Sequence, residues 1–317
     1  MNRNTADTGP DPAHDIVRTS SRQARRARVL TNATPYLLLL PGIALVGWLL
    51  IWPMSQTVWI SLFDAPRHEA EAREFVGLGN YYELLFESSR YMASAKFTAL
   101  FTFITIVIEL IIAFGFALLL DTINRGRSLL VTVAVLPFMV ASIAVGLVWR
   151  LMYSRDIGII NHFLSWFNVG PVNWLADPDA AMWSAIISEA WATMPFVMLI
   201  LMAGLTSIPN DVLEAGRADG AGYVKLFWYL KLPLLLPSLT VALVFQMVFK
   251  IRVFDLVFIL TEGGPGGLTT PVGLLIYLQQ FRFFQTGLSA ANSVLLLIAG
   301  AAIATLYVKL LYREIEY

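Results

Sequence analysis

The sequence predicts an all-α, polytopic membrane protein with six transmembrane helices, and three observations carry that prediction. Of 317 residues, 57% are hydrophobic and 14% charged, against roughly 45–50% and 25% in soluble domains. The apolar surplus is gathered into runs of about 20 residues or more, the length that a rise of 1.5 Å per residue needs to cross roughly 30 Å of hydrocarbon. The runs lack the alternation of a membrane barrel. Backbone amides in lipid must bond within their own segment, which makes each run a helix.

The predicted spans cover residues 36–62, 97–120, 129–153, 183–206, 234–258 and 288–312. Residues 1–32 are polar and punctuated by Pro10 and Pro12, and read as a disordered tail ahead of a membrane domain over 33–317. The first apolar run is too long for a cleavable signal and reads as an uncleaved anchor. Basic residues set the orientation, because Lys and Arg near span ends stay on the cytoplasmic side. One side holds Arg3, Arg18, Arg22, Arg25, Arg26, Arg28, Arg125, Arg127, Arg217, Lys225, Lys231, Lys309 and Arg313. The other holds fewer, among them Arg67, Arg73, Arg90, Arg155 and Arg282, so both termini are expected in the cytoplasm. On that second side lie a Glu-rich loop over 64–96 and a loop over 154–182 whose Trp166, Phe167 and Trp174 suit a membrane interface.

Composition also excludes several functions. Lys+Arg and Asp+Glu balance at 22 each, so no basic face calls for nucleic acid. The chain has no Cys, and His14, His68 and His162 are isolated, which leaves no metal-ligand spacing. No Gly-x-x-x-x-Gly-Lys-Ser/Thr phosphate loop is present, so this chain is not expected to hydrolyse nucleotide.

The segment between the fourth and fifth spans, 207–233, reads as a short helix, a glycine turn and a second short helix stopped by Pro233. Asn210 or Asp211 is placed to cap the first piece, and Val212, Leu213 and Ala215 give it an apolar side. Gly220 and Gly222 permit the turn. The second piece sets Phe227 and Leu230 on one face and leaves Lys225 and Lys231 to water. Such a helix pair, partly apolar and exposed, is a docking surface.

This segment resembles the EAA loop of the permease subunits of ATP-binding-cassette importers, matched by Glu214, Ala215, Asp219, Gly220, Ala221, Phe227, Leu232 and Pro233. Gly216 stands in place of the second Ala, a change expected to loosen the first helix by about 1 kcal/mol. Two further stretches, 76–81 (Val-Gly-Leu-Gly-Asn-Tyr) and 260–265 (Leu-Thr-Glu-Gly-Gly-Pro), are similar to motifs of the binding-protein-dependent sugar-permease branch, the maltose, trehalose and glycerophosphate type. The resemblance implies the type I importer permease fold in a bacterial inner membrane. It implies a second homologous permease, two ATPase subunits that carry the ATP and Mg, and an extracytoplasmic solute-binding protein. No cofactor is expected in this chain. ATPase coupling is implied for Leu213, Glu214, Ala215, Asp219, Gly220, Ala221 and Phe227.

By the same resemblance, pocket positions fall on Phe138, Ser142, Glu189, Thr193, Phe196, Gln246 and Lys250. Aromatic rings can cover the apolar face of a sugar while Ser, Thr and Gln bond its hydroxyls. Packing is the other reading for the two Phe residues, and back-bonding to helix carbonyls for Ser142 and Thr193. Charges inside spans need partners or a function. Glu189 and Lys250 either neutralise each other or leave Lys250 to face an acidic solute, Glu109 is assigned to interhelical pairing, and Arg252 and Asp255 are expected to pair with each other or to make a gate contact rather than to bind solute. A secondary transporter relaying ions through Glu109, Glu189 and Asp255 is the rival function.

Overall fold

The computed structural model describes residues 38–64, 74–123 and 125–311. His14, His68, the tail over 1–32, the flanking Arg67, Arg73 and Arg313, and both termini lie outside the described residues. Within them twelve helices follow in order: α1 (Leu38–Ile60), α2 (Gly79–Tyr82), α3 (Ser89–Thr122), α4 (Arg127–Met139), α5 (Ser142–Met152), α6 (Ile159–Ser165), α7 (Pro178–Thr206), α8 (Asn210–Ala218), α9 (Tyr223–Ile251), α10 (Asp255–Thr261), α11 (Val272–Phe281) and α12 (Thr286–Leu311). Five of these, α1, α3, α7, α9 and α12, are individually long and apolar enough to cross a membrane, and the α4–α5 pair makes a sixth if counted together. Residues 38–57 of α1 form one compact unit and the rest of the described chain another.

Local chemistry explains the helix starts. Ser88 accepts the Tyr91 amide at the head of α3, and Asp177 accepts the Ala180 amide at the head of α7, where Pro178 fills the first turn. At 34 residues α3 is about 51 Å long and overshoots a bilayer at its N-terminal end. The span expected over 97–120 is therefore the inner part of a longer rod.

Two expected spans are broken. The one over 129–153 bends by 94° between α4 and α5. Pro137 lacks an amide hydrogen, the helix tightens to a 3-10 turn over Leu136–Met139, and Val140 and Ala141 are extended. The one over 234–258 ends at Ile251 and restarts at Asp255, whose charge suits the first turn of α10. Its redirected half packs on α5, where a Cβ at Gly146 would come within 2.9 Å of Ile259. Helix α11 was not anticipated: its 10 residues reach about half of a membrane, yet its apolar face is buried against α3 and α12.

Helices α3, α7 and α9 pack on one another and form the centre, with α12 against α9 and α11. Their buried apolar side chains fall into two zones. Phe97, Phe101, Ala185 and Ile186 belong to one, joined by α5, α10 and Val253 of the break before α10. Ala113, Ala117, Val197, Leu201, Leu235 and Ala242 belong to the other. On each of the three helices the stretch between the zones carries charge or amide groups.

The glycine motifs serve close approach. Asn80, in the Val-Gly-Leu-Gly-Asn-Tyr stretch, donates to the carbonyls of Ser61 and Phe63 at 2.8 and 2.9 Å, and Tyr81 meets the Ser61 hydroxyl at 2.6 Å. In the loop after α10, a Cβ on Gly263 would come within 2.5 Å of the Thr270 hydroxyl, which donates to the Gly263 carbonyl. The loop over 154–182 is organised by buried Asn161, which donates to the Arg155 and Val172 carbonyls and accepts the Val172 amide and the Trp174 indole. Trp166 and Phe167 are exposed beside it, as an interfacial anchor requires, whereas Trp174 is packed against the core.

At the crossing of α7 and α9, a Cβ on Gly204 would lie 2.5 Å from the Ser238 hydroxyl and 2.7 Å from Leu235. Gly204→Val is expected to force these helices apart and cost about 1–3 kcal/mol, as overpacking does. Thermal unfolding of the detergent-solubilised protein checks this, and an unchanged midpoint would show that the crossing tolerates a side chain.

Candidate functional site: a buried charge layer, an aromatic face and a hinged loop

Between the two apolar zones, Glu109 on α3, Glu189 and Thr193 on α7, and Gln246 and Lys250 on α9 meet. The Lys250 ammonium lies 2.8 Å from Glu109 Oε1, 2.7 Å from Glu189 Oε1 and 2.5 Å from Thr193 Oγ1. Thr193 also contacts Glu109 Oε1 and back-bonds to the Glu189 carbonyl at 2.8 Å. Gln246 reaches the Thr193 carbonyl at 3.4 Å. Lys250 and Glu109 side chains are wholly inaccessible and Glu189 is 13% exposed.

The three ammonium hydrogens thus have three oxygen partners, which is all that a lysine can use. The layer satisfies both expected pairings, Glu189 with Lys250 and Glu109 across helices. It leaves Lys250 no free donor for an acidic solute in this conformation. Arg252 and Asp255 do not pair: Arg252 bonds the Val248 carbonyl at 3.3 Å, and Asp255 is exposed at the head of the next helix.

The remaining site residues lie on an accessible face. Phe138 stacks on Phe196 at 5.4 Å, and Phe196 meets Phe245 and Phe249 edge-on at 5.8 and 6.1 Å. Phe138, Phe245 and Phe249 are each more than 40% exposed. Ser142 opens α5 just past the break and is exposed too. The seven candidates therefore divide into an aromatic face with Ser142 and a buried layer behind it, joined through α7 and α9. Phe245 and Phe249 were not singled out from sequence. Their i, i+4 spacing, each one residue before Gln246 and Lys250, is the signal that pairs an aromatic ridge with a polar one.

At the other end of α7, helix α8 and the turn after it lie at the surface. Glu214, Ala215, Asp219 and Gly220 are exposed, Leu213, Ala221 and Phe227 half-buried. Gly220 adopts φ +81°, a left-handed geometry that favours glycine. Pro209 holds the capping position, so neither Asn210 nor Asp211 caps α8. Pro233 does not stop the second piece: α9 runs on through a π turn over Phe227–Lys231, in which the Leu232 amide reaches back to Phe227, and this longer loop of chain absorbs the proline. Lys231 is held from water by Asp121 at 2.8 Å, tying α9 to the end of α3. Gly216 is not a weakness. A Cβ there would lie 2.5 Å from Leu230 and 2.9 Å from Leu226, so glycine lets α8 close onto α9.

Fold and site together define a helical membrane permease with a polar layer in its spans and an exposed hinged loop at one end. Residues 113–317 match the family described as binding-protein-dependent transport system inner membrane component, and the chain belongs to that family. It is 37% identical over 274 residues to the trehalose/maltose transport system permease protein MalF of Thermococcus litoralis, covering 86% of this chain and 92% of that one. It is 30% identical over 300 residues to the sn-glycerol-3-phosphate transport system permease protein UgpA of Pectobacterium atrosepticum, covering 94% and 99%. In fold it is similar to a chain of a bacterial ABC transporter involved in the import of the acidic polysaccharide alginate, with TM-score 0.78 at 19% identity over 92% of this chain and 100% of that one.

Lys250→Met strands two carboxylates in the sealed layer and is expected to cost about 3–5 kcal/mol, the usual result of removing one partner of a buried pair. The triple variant Glu109→Gln, Glu189→Gln, Lys250→Met should recover most of that loss. Thermal midpoints of the two variants decide it, and a triple variant no more stable than the single one contradicts the account.

Proposed function

We propose that the chain is one of two permease subunits of an inner-membrane importer for a carbohydrate or sugar-derived solute. Two partner ATPases hydrolyse ATP with Mg, and an extracytoplasmic binding protein delivers the solute. The observation that carries this reading is the exposed, glycine-hinged α8 with its turn, built on an apolar contact with α9 and presenting Glu214 and Asp219 outward. Family membership favours it over an ion-coupled secondary transporter. So does the layer itself, since Lys250 engages both Glu109 and Glu189 while Asp255 stands apart on another helix. The substrates that give the relatives their names, trehalose or maltose and glycerol 3-phosphate, support the sugar-derived class.

In this reading α8 faces the cytoplasm, as do both termini, and the ATPases grip Leu213, Glu214, Ala215, Asp219, Gly220, Ala221 and Phe227. Their closure moves α8 as a rigid body, and Gly216 and the Asp121–Lys231 pair pass the motion to α9 and α3. Phe138, Ser142, Phe196, Phe245 and Phe249 offer the solute an aromatic surface with a hydroxyl at its edge. Glu189, Thr193, Gln246 and Lys250 act from behind: they hold α3, α7 and α9 in register as that surface is presented alternately to the two sides.

Gly220→Val places a branched side chain at a left-handed position and should distort the turn at a cost of about 1–3 kcal/mol. The co-purifying ATPase should be lost while this chain stays folded. Uptake by the chain alone in proteoliposomes would instead support the secondary transporter. Phe138→Ala and Phe245→Ala should raise the half-saturating solute concentration of the assembled importer several-fold, in line with about 1 kcal/mol per aromatic contact; unchanged uptake kinetics would remove this face from the pathway.

A further inference from the structure

The charge layer is one proton short by charge, and one short again by hydrogen bonding. Glu109 and Glu189 bring two carboxyl groups against the single ammonium of Lys250, which leaves one negative charge over if both acids are ionised. The Glu109 and Lys250 side chains are wholly inaccessible, so that surplus would lie where an unpaired charge is most costly.

The helices around Glu109 bring nothing else to balance it. From Phe97 to Leu120 it is the one charged residue of α3. α7 adds Glu189 here, its other acid, Asp179, lying in the first turn. α9 adds Lys250; its Lys231 is paired with Asp121, and Lys225 lies in its first turn. α4 has only Arg127, its opening residue, and Tyr277 of α11 packs on Phe254 and Phe258. The turn ahead of α3 holds Glu83 and Glu87, the nearer of them about 33 Å along the rod from Glu109.

Hydrogen bonding gives the same deficit from a different observation. Lys250 Nζ meets Glu109 Oε1, Glu189 Oε1 and Thr193 Oγ1, and Thr193 Oγ1 meets Glu109 Oε1 and the Glu189 carbonyl. Each of these five contacts needs a hydrogen, yet the ammonium has three and the threonine hydroxyl one. Thr193 cannot donate to Glu109 and to the Glu189 carbonyl together. With its hydrogen in the back-bond at 2.8 Å, the hydrogen between Thr193 Oγ1 and Glu109 Oε1 must come from the carboxyl group. Gln246 does not make good the shortage: its amide nitrogen faces the Thr193 carbonyl, and Gln246 Oε1, like Glu109 Oε2, is a buried acceptor that no donor reaches among the described residues.

We propose that the layer is a proton-binding site: one proton sits on Glu109 Oε1 and is donated to Thr193 Oγ1, leaving Glu109 a neutral acid beside a Lys250–Glu189 ion pair. One added hydrogen then supplies every contact and cancels the surplus charge. Thr193 accepts from Lys250 and from Glu109 and donates to the Glu189 carbonyl, the full capacity of a hydroxyl. The ionised acid is the one that keeps some exposure, Glu189 at 13%, and the neutral acid is the sealed one. A sodium ion would supply the charge but no hydrogen for two touching oxygens. The site stands independently of the importer reading, and it holds a proton rather than relays it, since Asp255 is on another helix.

The test is infrared spectroscopy of the full-length chain in lipid nanodiscs, with the subunits that co-purify with it. Carbon-13 glutamate separates its acid carbonyls from those of lipid esters. At about pH 8, well above the ordinary carboxyl value of roughly 4, one carboxylic-acid carbonyl band should persist. Glu109→Gln, whose amide offers the same donor and acceptor, should lose it. Thr193→Val keeps the side-chain shape, removes the acceptor and should move the band to higher frequency. The proposal is wrong if the unmodified protein shows no such band or if the band survives Glu109→Gln. A band that Thr193→Val leaves unmoved belongs to another acid and also overturns it. So does a thermal midpoint that rises with sodium chloride but not with choline chloride in a protein lacking the band, since the layer then takes a metal cation. Should Glu109→Gln fail to fold, the band of the unmodified protein and its displacement in Thr193→Val still decide.

Discussion

The Lys250 ammonium bridges two helices from a third at a depth where no water reaches it. Glu109 comes from α3 and Glu189 with Thr193 from α7, so the three central helices share a single set of charge-assisted bonds. In an apolar interior a bond of this kind has no aqueous competitor, and separating its partners exposes bare charge. Apolar packing on either side specifies which faces touch but resists sliding poorly, because one methyl group substitutes for another. The charge layer supplies register, a property that two zones of Leu, Ala and Phe do not supply for themselves.

From that layer the two ends of the molecule are reached along continuous rods. α3 leads from its cap at Ser88 through Glu109 to Asp121. There the Lys231 pair passes to α9, and α9 returns through Gln246 to Lys250. α7 leads from Glu189 to the hinged loop. The loop at α8 is therefore connected to the layer by two routes, and Phe196, Phe245 and Phe249 are carried on the same helices. Breaks at Val140–Ala141 and Arg252–Phe254 lie where α4 meets α5 and α9 gives way to α10, so the rigid parts end close to that face.

Much of this was legible in the residues. Span positions, the glycine turn, the role of Glu109 as a pairing group and the back-bonding of Thr193 follow from helical spacing and from the cost of charge in lipid. What escaped has specific causes. Pro137 was read within a span because hydropathy does not register a missing amide hydrogen. Pro233 was read as a stop because nothing local announces that a π turn will absorb it. Lys231 looked like a water-facing residue until Asp121, far away in sequence, came beside it. Gly216 looked like a loss of helix propensity and turned out to be the space that Leu226 and Leu230 fill.

By itself the sequence determined the solvent, the positions of the apolar runs and the exposed glycine-hinged segment, because hydrophobic run length, proline and glycine act within a few residues of where they stand. Tertiary structure alone decided that the Lys250 ammonium is engaged by Glu109, Glu189 and Thr193 while Phe138 and Ser142 stay accessible. Whether a buried charge is spent on a neighbouring helix or left for a ligand depends on which oxygens come within 3 Å of it. That distance is set by the crossing of α3, α7 and α9 and is written in no single stretch of chain.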